Sequence, residues 1–156
     1  MKKLELILIA GAIIGILMAQ LNLPAHSVIS SLFFLALATI YLYLGFALFN
    51  DIPFRKIFKS ESYKGLETWR IAVAVGTGLG LSQLTMGFAF ALNNYPMTRA
   101  LLNSGLVVTA LMLLIALVRN TKEKHRFYRI IALRCAIFII VGIITILVFE
   151  QHGQTA

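Results

Sequence analysis

Ile71 to Leu92 is a run of 22 residues without a charge, and no other feature limits the fold of this chain as much. At ~1.5 Å of rise per residue, such a helix crosses a ~30 Å hydrocarbon layer. Four more apolar runs accompany it: Leu4 to Leu23 (broken by Glu5 near its start), Ser27 to Phe49, Ala100 to Val118 and Ile130 to Phe149. The expected fold is an all-α integral membrane bundle of five transmembrane helices in one domain of 156 residues. Two hairpins, about 4–49 and 71–118, are followed by a fifth helix at about 130–149. Hydrophobic residues make up 60% of the chain and charged ones 13%. A soluble domain carries ~25% charged residues, so that class is excluded.

The periodicity of the central run predicts its neighbours. On a helical wheel Ala72, Gly76, Gly80, Gln83, Gly87 and Ala91 share one narrow face, and Ala74, Gly78, Ser82, Thr85 and Ala89 lie roughly opposite. Small residues on two faces let helix backbones approach from both sides, the usual contact in lipid. The central helix is therefore expected in the middle of the bundle. Gly11 and Gly15 give the first span a similar packing face.

The net charge is +8, and its placement decides what it means. Lys2 and Lys3 precede span one. Arg55, Lys56, Lys59, Lys64 and Arg70 lie between spans two and three, and Arg119, Lys122, Lys124, Arg126 and Arg129 between spans four and five. The segments on the other side hold Arg99 alone, so the asymmetry is twelve to one with Arg134 left inside a span. Basic residues collect on the cytoplasmic side. The expected topology is a bacterial inner membrane protein with its N-terminus cytoplasmic and its C-terminus outside. This placement, with no aromatic-basic platform for single strands, argues against a nucleic-acid partner. A basic start before an apolar run also resembles a signal peptide. The first run is longer than a usual signal core and has a counterpart downstream, so it reads as a retained span.

Asn50 to Arg70 is the long hydrophilic connection. Phe54, Ile57 and Phe58 share one helical face while Arg55, Lys56 and Lys59 point away, which favours a short helix lying on anionic headgroups over an ordinary solvated loop. Tyr41, Tyr43, Phe46 and Phe49 suit an interfacial aromatic belt, and Trp69 an anchor where the third span begins.

A shift of 72 residues lays the first hairpin on the second. Gly15 meets Gly87, Ala19 meets Ala91, Asn22 meets Asn94, Pro24 meets Pro96, Ala38 meets Ala110 and Leu42 meets Leu114. Both hairpins start on the same side, so the expectation is a parallel repeat; the competing account is the ready alignment of any two apolar hairpins. The stretch Tyr41 to Ser82, with YLYLGFALFNDIPFRKIF and SYKG, resembles a family of small bacterial multi-pass membrane proteins with no assigned activity. The hairpin turns, with Asn22 and Pro24 in one and Asn94 and Pro96 in the other, are more distantly similar to the membrane hairpin of the gliding-motility and type IX secretion motor. That likeness implies acidic residues inside the membrane. Here Glu5, at the rim of its span, is the one acidic residue within a span.

Residues that could carry chemistry are few. The sequence GTGLG at Gly76 to Gly80 sits inside an uncharged membrane run, with no preceding strand and no following lysine, so it reads as helix packing and not as a phosphate loop. His26, His125 and His152 are distant from one another, and Cys135 stands alone in an apolar run. No metal or other cofactor is expected, and no nucleophile signature points to an enzyme. Gln20, Asn22, His26, Asn93, Asn94 and Asn103 gather towards the outer half of the membrane with Gln83 and Thr85. Interhelical hydrogen bonding is one account of them and a small polar vestibule is the other. Arg134, about a turn inside span five, is the intramembrane charge; snorkelling to the nearby rim is the leading account of it, and a buried pairing or a substrate role is the alternative.

The leading expectation is a non-enzymatic accessory or scaffold subunit, packing as a homo-oligomer or with another membrane protein through its small-residue faces, in a bilayer with anionic headgroups. The alternative is a small transporter or channel using the outer polar cluster.

Overall fold

A computed structural model describes residues 2–50, 52, 53, 55, 57 and 67–154. Five helices follow one another: α1 (Lys2–Gln20), α2 (His26–Phe49), α3 (Thr68–Leu92), α4 (Thr98–Glu123) and α5 (Arg126–Gln154). All five are long and apolar enough to cross a membrane, and the protein is a multi-pass membrane protein on that ground. Of the expected surface helix, Phe54, Lys56, Phe58 and Lys59 lie outside the described residues. Ile57 is buried with Ile52 against Ala47 at the end of α2, and Arg55 is exposed.

The helices overrun the apolar stretches that announced them. The basic segment 119–129 reads as a connection, yet α4 continues through Arg119 and Lys122 to Glu123, and α5 begins at Arg126. Lysine, arginine and glutamate are good helix formers, and Arg119 pairs with Glu123 one turn on at 2.7 Å. The reversal shrinks to Lys124 and His125, with Lys124 in the left-handed region at φ 46°.

α3 is the centre of the bundle, as its two small faces predict. A Cβ added at Gly76, Gly80 or Gly87 would meet Met112, Thr109 or Leu102 of α4. One added at Gly78 would run into the backbone oxygen of Tyr41, on α2, and Gly45 approaches Gly78 closely enough that its Cβ would lie 3.0 Å from the Gly78 Cα. Gln83, on the α4-facing side, is half-buried. α1 packs on α2 through the same device: Gly11 lies under Phe33, and a Cβ on Gly15 would sit 2.8 Å from the Ser30 Cα. The expected glycine faces are therefore contacts, and they are occupied within the chain. A second copy or a partner has to meet other surfaces.

The core divides by height. Towards the end carrying the basic residues, Tyr41, Leu48, Val73, Leu81, Ala116, Tyr128, Ile131 and Cys135 interlock from α2, α3, α4 and α5. Towards the end carrying the short turns, Ala12, Phe34 and Ala89 pack with Phe33, Phe88 and Phe90. α5 leans back on α3 there, with the Phe88 and Phe138 ring centroids 6.2 Å apart.

The two short turns share one backbone course. Asn22 and Asn94 have φ of 50° and 51°, and Ala25 and Met97 have φ of 64° and 67°. Leu23 N–H donates to Met18 O at 3.0 Å, and Tyr95 N–H to Phe90 O at 2.9 Å. Ile29 N–H to Ala25 O and Leu101 N–H to Met97 O both measure 3.1 Å. Every one of these pairs is offset by 72 positions. So is the helix contact beside the turn, where Gly15 lies on Ser30 and Gly87 on Leu102.

Candidate functional site

Three helices bring one polar cluster together between α1, α2 and α5. Glu5 sits in the first turn of α1, and its carboxylate faces inward, 5% exposed. A carboxylate withdrawn from water needs strong partners, because its desolvation otherwise costs several kcal/mol. It has three donors. The Arg134 guanidinium from α5 engages it as a fork, Nη1 on Oε1 and Nη2 on Oε2, the second at 3.0 Å. The hydroxyl of Tyr41, from α2, donates to Oε1 at 2.9 Å and is 1% exposed.

Aromatic rings fix the geometry. The Arg134 guanidinium lies over the Phe49 ring, 5.3 Å from its centroid. Phe49 in turn stacks along Tyr41 at 6.5 Å and 17°. Phe138, one turn beyond Arg134, meets the Tyr41 ring edge-on at 5.6 Å. The guanidinium is thus held by charge on one side and by a π face on another. Its side chain keeps 23% exposure, while the carboxylate is shut in.

Three sequence expectations change here. Arg134 does not simply snorkel to the rim; it forms a fork with Glu5. Tyr41 and Phe49 are not belt residues, since both are buried, whereas Tyr43 is exposed as a belt residue should be. Periodicity cannot show such a pairing, because Glu5 and Arg134 lie 129 positions apart. The usable signal was parity. With five spans, the start of span one and the start of span five lie on the same side, where two opposite charges set into apolar runs can meet.

Comparison with family models, curated proteins and solved structures found no match. A bidentate ion pair with a tyrosine donor holds no free base and no activated nucleophile. What it can do is tie α1 to α2 and α5.

The outer polar residues do not assemble. Gln20, Asn22, Asn94 and Asn103 are all exposed, spread over the end of α1, the two turns and the outer wall of α4. His26 is half-buried, and its Nδ1 makes no hydrogen bond. Asn93 Nδ2 donates to Ser31 Oγ at 3.3 Å and to Ala89 O at 2.8 Å. The first of these is the one interhelical hydrogen bond that this set makes among the described residues. Thr85 turns back on its own helix, donating to Leu81 O at 2.6 Å. A vestibule needs polar side chains converging on shared space, and these diverge.

The basic end of the bundle carries further cation–π contacts. Arg119 lies over Trp69 at 4.8 Å and Arg70 over Phe127 at 4.9 Å. They join α3 to α4 and α5 at the rim.

Proposed function

We propose that this protein is a non-enzymatic scaffold or accessory subunit of a bacterial inner membrane, with its N-terminus and basic rim cytoplasmic and its C-terminus outside. The observation that carries the reading is the filled interior. Leu81, Leu84, Leu102 and Ile131 are wholly buried in the interior, and the polar side chains buried with them include the small hydroxyls of Thr77, Thr85 and Thr109. A conducting path would need water and a continuous polar lining. The twelve-to-one distribution of basic residues supports the orientation. The matched dihedrals, hydrogen bonds and glycine contacts at an offset of 72 support a parallel repeat of two hairpins. Because the glycine faces are occupied within the chain, a second copy or partner subunit would bind the apolar outer walls. Those walls include Val107, Leu111 and Leu114 of α4, all more than half exposed.

A second reading, a small proton-coupled transporter, is favoured by the Glu5–Arg134–Tyr41 cluster, since buried charges in membrane spans often serve ion pathways. Native mass spectrometry of the protein extracted into nanodiscs from its own membrane tests the scaffold. Complexes heavier than the 17.3 kDa chain are expected. A lone chain under all extraction conditions would contradict the proposal.

A further inference from the structure

At the start of α5, Arg126, Arg129, Ile130 and Leu133 line an open hollow of about 480 Å³. Their spacing of three and four residues puts them on one helical face. The same face continues through Ile137, Ile140 and Ile144, all at least half exposed. Two cations therefore stand at the basic rim directly above an apolar stripe. Among the described residues no carboxylate pairs with either guanidinium. The first turn of α5 adds the positive end of a 29-residue helix at the same level.

We propose that this hollow binds one anionic phospholipid, its phosphate held by Arg126 and Arg129 and an acyl chain lying along Leu133, Ile137, Ile140 and Ile144. Guanidinium groups match phosphate oxygens in a planar fork, and a basic pocket at a membrane rim is a known setting for acidic headgroups. The apolar floor decides between a lipid and a free anion. Inorganic phosphate would gain nothing from Ile130 and Leu133, whereas a lipid uses both parts of the hollow. The inference rests on the five-span fold and not on the scaffold role.

Native mass spectrometry from detergent tests it, with phosphatidylglycerol, phosphatidylcholine and inorganic phosphate offered separately. The protein is expected to retain phosphatidylglycerol in preference to the other two. The double variant R126Q/R129Q should lose roughly tenfold of that retention. K122Q/K124Q, which removes the same charge from the same rim outside the hollow, should keep it. Equal loss in both double variants would reduce the site to diffuse surface charge, and equal retention of inorganic phosphate would make it a plain anion site. Either result overturns the proposal, as does undiminished retention by R126Q/R129Q. Phosphatidylglycerol with a photoactivatable acyl chain gives a check that needs no variant. It should label residues 133–144 of α5, and labelling confined to other helices would also overturn the assignment.

Discussion

Glu5 and Arg134 close the bundle by joining its first helix to its last through two parallel hydrogen bonds. Chain connectivity runs α1 to α2 to α3 to α4 to α5, so nothing covalent holds α1 near α5. The ion pair does so, with Tyr41 of α2 supplying a third donor.

Removing both partners should therefore cost less than the sum of removing each alone. Glu5→Gln leaves Arg134 without a counter-charge in a span. A loss of about 2–3 kcal/mol is expected, below the ~3–5 kcal/mol of a fully buried pair because Arg134 keeps 23% exposure. The double variant Glu5→Gln/Arg134→Met should recover about 1 kcal/mol or more relative to additivity. Thermal or denaturant unfolding in a defined detergent measures the cycle. Strict additivity would mean that the two residues do not act as a pair.

The small faces of α3 make a graded prediction. A methyl group at Gly78 collides with the backbone of Tyr41, which cannot turn aside, whereas one at Gly76 meets the flexible end of Met112, with its sulfur 2.5 Å away. Gly78→Ala should cost about 1–3 kcal/mol and Gly76→Ala less than about 1 kcal/mol. Gly80→Leu, against Thr109, should disrupt the α3–α4 contact outright, while Leu79→Ile on the exposed side is tolerated. Melting temperatures of the four variants give the order.

Strain at the turns offers the opposite sign. Ala25 and Met97 hold left-handed backbone without the freedom of glycine, a conformation that costs ~1–2 kcal/mol per residue. Ala25→Gly and Met97→Gly should each stabilise by about 1 kcal/mol, since both positions are exposed. Equal gains at the two sites are expected from their matched dihedrals, and unfolding midpoints would show them.

The proposed orientation is open to a direct assay. A reporter that works only outside the cytoplasm, fused after Ala156, should be active, and the same reporter placed between α4 and α5 should be silent. The reverse pattern would invert the topology.

The helices and the central place of α3 were legible because two physical patterns speak for themselves. An uncharged run of this length has few soluble uses, and small residues recurring at helical spacing mark where backbones meet. The glycine contacts on α2 and α4 follow that pattern face by face. Helix ends were less legible, since hydropathy treats Arg119 to Glu123 as a loop although its residues favour helix. The ion pair was hidden for another reason. Tyr41 and Arg134 each have an ordinary membrane-rim explanation, and what overrides it is the buried carboxylate, whose partners depend on tertiary packing. The outer asparagines misled in the other direction, because depth in the membrane does not make side chains converge.

Flux through reconstituted vesicles tests the central claim most directly. Proteoliposomes holding a proton gradient and the purified protein should lose that gradient no faster than protein-free vesicles, because Leu81, Leu84 and Ile131 are wholly buried and fill the interior. Glu5→Gln vesicles should behave the same. A proton leak that depends on the parent protein and disappears in Glu5→Gln would contradict the scaffold and make the Glu5–Arg134 pair part of a transport pathway.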